Sequence, residues 1–226
     1  MTAFAGATRL RELAHRPGPA HAAQGPAHGP DDRCDLCSCP VPGEHRHLLD
    51  VPDGTLLCAC GACALLFDQQ ETGVRRYRLL PRRRLRLDGF RIDDHLWASL
   101  GIPVGLAFFV REAATGETAV AYPSPLGAPR ATVAPAVWAE LAGGHPAVAG
   151  LAGDVEALLV HRGDVHRGEG RAGPGEHWIV PLDDCYRLVG VVRTHWKGLT
   201  GGPEARSEIE RFFAELAPSA PVRGDG

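Results

Sequence analysis

Six of the seven cysteines in this 226-residue chain fall between positions 34 and 63, as CDLCSC and CACGAC. The two clusters are a C-x2-C-x-C pattern and its mirror image, and between them lies EHRHLLDVPDGTLL with His45 and His47. Thiols packed this densely either form disulfides or hold metal, and two thiolates at C-x2-C spacing can reach one ion. The N-terminus lacks the basic head, apolar stretch and small-residue cleavage site of a secretory signal, and no apolar run reaches the roughly 18 residues of a membrane helix. The expected compartment is therefore the cytoplasm, where reducing conditions favour metal over disulfides.

Two C-x2-C knuckles joined by a hairpin are the zinc-ribbon arrangement, so Cys34, Cys37, Cys60 and Cys63 are the first candidates for a tetrahedral site. Four thiolates also suit a rubredoxin-like iron or a small Fe-S cluster, although these spacings do not match the usual ferredoxin runs. Asp53-Gly54 is a preferred pair for a two-residue type I′ turn. That turn would set Leu49 opposite Cys58 and His47 opposite Cys60, with His45, His47, Cys58 and Cys60 on one face of the ribbon. A three-residue loop would shift the register and separate the histidines from those cysteines. Cys39, Cys58, His45 and His47 are thus possible additional ligands, and Cys39 and Cys58 read equally well as small buried neighbours. Leu48, Leu49, Val51, Leu56, Leu57, Leu65, Leu66 and Phe67 would complete a core that structural zinc would help to fold, contributing about 10–16 kcal/mol of apparent binding energy.

The remainder reads as an α+β scaffold. Residues 4–15 suggest a short helix, and the Pro-, Gly- and Ala-rich stretch to Arg33 cannot bury enough surface to order itself. The expected organisation is an arm over 1–33, a zinc-ribbon-like metal module over 34–73, an antiparallel sheet packed with helices over 74–217, and a tail over 218–226. Strands are expected near 74–80 and 83–87, in a hairpin formed by VGLAFFVRE and ETAVAYP, and at 155–161 and 177–182. Helices are expected after the caps Asp93 and Asp94, from Pro135, and over 203–217. DDCYRLVGVVRTHW carries a helical apolar stripe including Cys185, with a strand as the alternative. Asp183 and Asp184 sit where a helix N-cap belongs. Gly168, Gly170 and Gly173 spell G-x-G-x-x-G, but a strand and not a helix follows, so no dinucleotide site is inferred.

Arginines crowd residues 75–86, and Arg82, Arg83 and Arg84 are candidates for binding an acidic protein partner or nucleic acid. The formal net charge is -3. That balance disfavours a general nucleic-acid binder and leaves the solvent face of an edge strand as the plainer reading. No nucleophile and base are paired in the sequence, so no catalytic constellation is assigned.

RCDLCSCPVPGEHRHLLDVPDGTLLCACGACALLFD, GIPVGLAFFVRE, AYPSPLGA, VEALLVHR and VPLDDCYRLVGVVRTHWKGLTGG resemble an uncharacterised family encoded beside nickel-iron hydrogenase genes in high-GC bacteria. The resemblance spans roughly residues 30–217. It implies that Cys34, Cys37, Cys58, Cys60, Cys63 and the H-R-H recur in the family and that Cys39 is peculiar to this chain. It supplies an expected partner, a hydrogenase subunit or maturation factor, without a mechanism. The leading expectation is a non-enzymatic, zinc-binding accessory protein acting through protein contacts. The alternatives are an iron or Fe-S electron-transfer partner of a hydrogenase and a zinc-ribbon DNA-binding regulator.

Overall fold

The computed structural model describes residues 32–68, 76–163, 175–198 and 201–217. The expected helix at 4–15, nearly all of the arm, Arg75, the glycine-rich loop at 168–173 and the tail lie outside the described residues.

The architecture is α+β, with two antiparallel sheets. The small one is built from β1 (Arg46–Asp50), β2 (Thr55–Ala59) and β3 (Tyr77–Leu79) in the order β2-β1-β3. Helix α1 (Gly61–Asp68) follows β2 directly. The third strand comes from beyond residue 73, so the small unit borrows backbone from the segment assigned to the scaffold.

The large sheet has the order β4-β9-β8-β5-β6-β7. Its strands are β4 (Leu85–Arg86), β5 (Leu106–Arg111), β6 (Thr118–Ala121), β7 (Arg130–Val133), β8 (Glu156–His161) and β9 (Glu176–Pro181). β5, β8 and β9 are apolar on both faces because both are covered. Phe108, Val110, Ala157, Leu159, Trp178 and Val180 face α5 (Leu182–His195) and α6 (Gly202–Leu216), while Phe109, Leu158, Val160 and Ile179 face the opposite layer. In that layer, α2 (Asp94–Ser99), α3 (Pro135–Gly143) and α4 (Pro146–Ala149) contribute Leu96, Trp97, Leu141 and Val148. The Asp93 side chain accepts from Leu96 N at 2.7 Å and starts α2, as its cap pattern indicated. The stripe at 183–196 is helical, and Cys185 is fully buried on it. β7 carries exposed Arg130, Ala131 and Thr132, and with Val133 as its one buried side chain it has too little apolar bulk to stand out as a strand.

The hairpin register differs from the one expected. His47 faces Cys58, Leu49 faces Leu56, and Asp50 closes the ladder with Thr55, so the loop is Val51–Gly54 and has four residues. Gly54 adopts φ 64, whereas Asp53 does not take the positive φ that a type I′ turn requires of it. Because both loops contain an even number of residues, the change slides one strand past the other without exchanging faces. Leu48, Ala59 and Ala64 form a small core under α1. The other face sends Leu49 and Leu56, with Leu80, into the core shared with Phe108, Trp178, Tyr186 and Leu188.

Arginines tie β3 and the segment that follows it to the large sheet and its helix α5. Arg78 bonds Asp154 Oδ2 at 2.6 Å; Arg83 forks onto Glu156 at 2.9 and 2.9 Å, and Arg84 onto Asp184 at 2.7 and 2.8 Å. Glu156 and Asp184 are buried, so these are charge-assisted pairs in a poorly solvated setting. Of the three arginines considered for partner binding, Arg83 and Arg84 have their donors committed inside the chain. β4 lies at the sheet edge, as the plainer reading of this run anticipated.

Candidate metal centre

The first knuckle is held as a tight loop. Cys34 N donates to Cys39 O at 2.8 Å and Ser38 N to Cys34 O at 2.7 Å, with Ser38 at φ 61. Asp35 ties this loop to β2: its N–H donates to Cys58 O at 2.9 Å and its Oδ2 accepts from Cys58 N at 2.6 Å. The second knuckle leads into α1. Cys60 precedes the helix, and Cys63 N lies 3.5 Å from Cys60 Sγ, so backbone donors at the helix start turn towards the sulfurs.

These elements bring the ligand atoms of Cys34, Cys37, Cys60 and Cys63 within 4.8 Å of one another. Cys37 Sγ and Cys60 Sγ are 3.7 Å apart. Four sulfurs held about 2.3 Å from a central ion form a tetrahedron with edges of about 3.8 Å, so this pair already stands at metal-site spacing. Four thiolates fit zinc, and they fit iron equally well.

The electrostatics point the same way. Burial works against ionisation of Cys34, but backbone N–H groups of Cys60, Leu36 and Cys37 outweigh it and bring its thiol down to about 6. Around Cys37 the backbone bond from Cys39 favours the thiolate, yet hydrogen bonds with Cys34, Cys60 and Cys63 prevail and push its thiol up. Cys63 is likewise pushed up, against a favourable bond to Cys37, by burial and by its cysteine neighbours. Protons shared among four sulfurs are what a cation would replace.

The structure places the other candidate ligands elsewhere. Cys39 is exposed and lies outside the four-sulfur cluster, its carbonyl serving the knuckle. Cys60 joins the four-sulfur cluster and leaves the hairpin face, while His45, His47 and Cys58 form a second group whose ligand atoms also lie within 4.8 Å of one another. Sequence reasoning missed the residues that support these groups. Asp35 binds β2, and Asp183 receives His47 Nδ1 at 2.7 Å across 136 positions. Asp183 and Asp184 do not cap α5, whose N-cap is Pro181; they reach His47 and Arg84. Leu65 and Leu66, assigned to the module core, are exposed on α1 at 70% and 67%.

A family model described as "Family of unknown function (DUF5947)" matches residues 33–220. The chain belongs to this DUF5947 family. The match covers both sheets and both cysteine clusters. No curated protein and no solved structure matches the chain. Among the described residues, no helix is long and apolar enough to cross a membrane.

Proposed function

We propose that this protein is a zinc-binding accessory factor of the cytoplasm, without catalytic activity at its four-cysteine centre, that works by docking on a hydrogenase subunit or maturation factor. The observation that carries the metal reading is the convergence of Cys34, Cys37, Cys60 and Cys63 within 4.8 Å. Four protein ligands fill a tetrahedral ion and leave no position for substrate, which is how structural zinc differs from catalytic zinc. Leu36 lies inside the first knuckle, and Leu65 and Leu66 follow the second; all three are exposed, giving the centre an apolar rim suited to a protein contact. The resemblance to a family encoded beside nickel-iron hydrogenase genes supplies the choice of partner.

Elemental analysis of anaerobically purified full-length protein tests the metal. Zinc in a colourless protein, with one equivalent lost when Cys37 and Cys63 are replaced by Ser, is the expected result. Visible absorbance with a reversible redox couple would replace zinc by iron and the accessory role by electron transfer. Neither metal, with all six clustered thiols titratable, would remove the reading. For the partner, Leu65→Asp with Leu66→Asp should abolish co-purification with hydrogenase components while leaving the metal content unchanged.

A further inference from the structure

His47 and Cys58 lie on the ribbon face opposite the small core under α1, the four-residue hairpin loop sets His47 directly across from Cys58, and His45 stands just before β1. The two imidazoles are 4.7 Å apart, centre to centre, and tilted by 58°. Each is oriented through Nδ1. His45 Nδ1 meets Pro42 O at 2.8 Å, and because a carbonyl only accepts, that nitrogen carries the proton. His47 Nδ1 meets the Asp183 carboxylate at 2.7 Å, which fixes the same tautomer in the neutral ring. In both rings Nε2 is therefore the atom with a lone pair to give, and both Nε2 atoms are buried. Ligand atoms from these rings and the Cys58 sulfur fall within 4.8 Å of one another.

An imidazole whose outer nitrogen is held by a carboxylate or carbonyl while the inner one faces a thiol is the usual outer-shell support of a metal-bound histidine. The scaffold contributes to this support in two places. Asp183 comes from the first turn of α5, and Asp35, between Cys34 and Cys37, clamps the backbone of Cys58 through both its N–H and its carboxylate. A structural histidine pair would need neither the shared tautomer nor a thiol at their convergence.

We propose that His45 Nε2, His47 Nε2 and Cys58 Sγ form a second metal site for a borderline divalent ion such as Zn2+, Co2+ or Ni2+, with a fourth position left for an exogenous donor. Two nitrogens and one thiolate match the ligand preferences of these ions, and three protein ligands leave the coordination shell open. The site is chemically distinct from the four-thiolate centre and does not depend on what that centre holds.

Cobalt titration of anaerobic, metal-free full-length protein tests this. Two equivalents are expected, one with the intense charge-transfer absorption of four thiolates and one with the weaker absorption of a single thiolate and d–d bands moved to shorter wavelength by nitrogen ligands. Imidazole added as a probe should shift only the second set. His45→Ala removes one ligand without touching the His47–Asp183 contact, and should abolish the second equivalent while leaving the first. Asp183→Asn should retain the second ion with about 10- to 100-fold weaker affinity, as expected for a positioning residue. Uptake of two equivalents by His45→Ala overturns the proposal, as does a single wild-type equivalent that is lost in Cys37→Ser and unaffected in His45→Ala. A single equivalent with one-thiolate absorption that is lost in His45→Ala would uphold this site and remove the four-cysteine centre instead.

Discussion

His177 shows how much a single side chain can make the scaffold depend on pH. It lies buried on β9, its ring edge-on to Phe90 at 5.2 Å. Burial, reinforced by the charges of Arg162 and Arg91, lowers its pKa to about 4. The unfolded chain takes up this proton near pH 6.5 and the folded chain only near 4, so between those values the unfolded state binds more protons and stability falls as pH falls. The contribution is complete above about pH 6.5 and is lost as the pH drops towards 4, with a loss on the order of 2 kcal/mol. Urea unfolding at pH 7 and pH 4.5 should show this slope in the wild type and a shallower one in His177→Leu. Equal slopes would place the pH sensitivity elsewhere.

Among the elements, the hairpin is where the sequence was most informative and also where it misled. The Asp53-Gly54 dipeptide favours a two-residue turn, but the preference has to compete with pairing further along the strands. Here Asp50 pairs with Thr55 and is also held by Arg76 at 3.1 and 3.0 Å, and Gly54 N donates back to Asp50 O at 2.7 Å. The parity of the loop survived the error, which is why His47 and Cys58 still share a face. The four cysteines could be identified from spacing alone, since each C-x2-C is local. Asp183 and the arginine pairs could not be, because no pattern within a window connects His47 to a residue 136 positions away. Replacing Gly54, at φ 64, tests the loop. The left-handed conformation should be tolerated best by Asn and worst by a β-branched residue, so Gly54→Val should cost about 1–2 kcal/mol and Gly54→Asn clearly less. Denaturation midpoints of the metal-loaded proteins would rank them; Val equal to Asn would mean that the loop does not require this conformation.

Across the whole molecule, the question is whether the metal-bearing unit melts by itself. The expected organisation separated a module that folds on its ion from an independent scaffold, yet the shared core argues for coupling. Leu49, Leu56 and Leu80 are buried with Phe108, Trp178, Tyr186 and Leu188, and truncating any one of such leucines typically costs 2–5 kcal/mol. Arg84 would also leave buried Asp184 without its bidentate partner if the segment between the sheets came loose. Freeing the small sheet would therefore take Leu49, Leu56 and Leu80 out of that core and expose the side chains they cover. Metal removal should accordingly lower the melting temperature of the entire chain in one cooperative transition. Loss of an ion held a thousandfold above its dissociation constant removes about 4 kcal/mol, which for a chain of this size is a fall of about 10 °C. Calorimetry with and without chelator checks this. Two separate transitions, with the upper one unmoved by chelation, would show that the small sheet is an independent module and that Leu49, Leu56 and Leu80 contribute little to the stability of the large one.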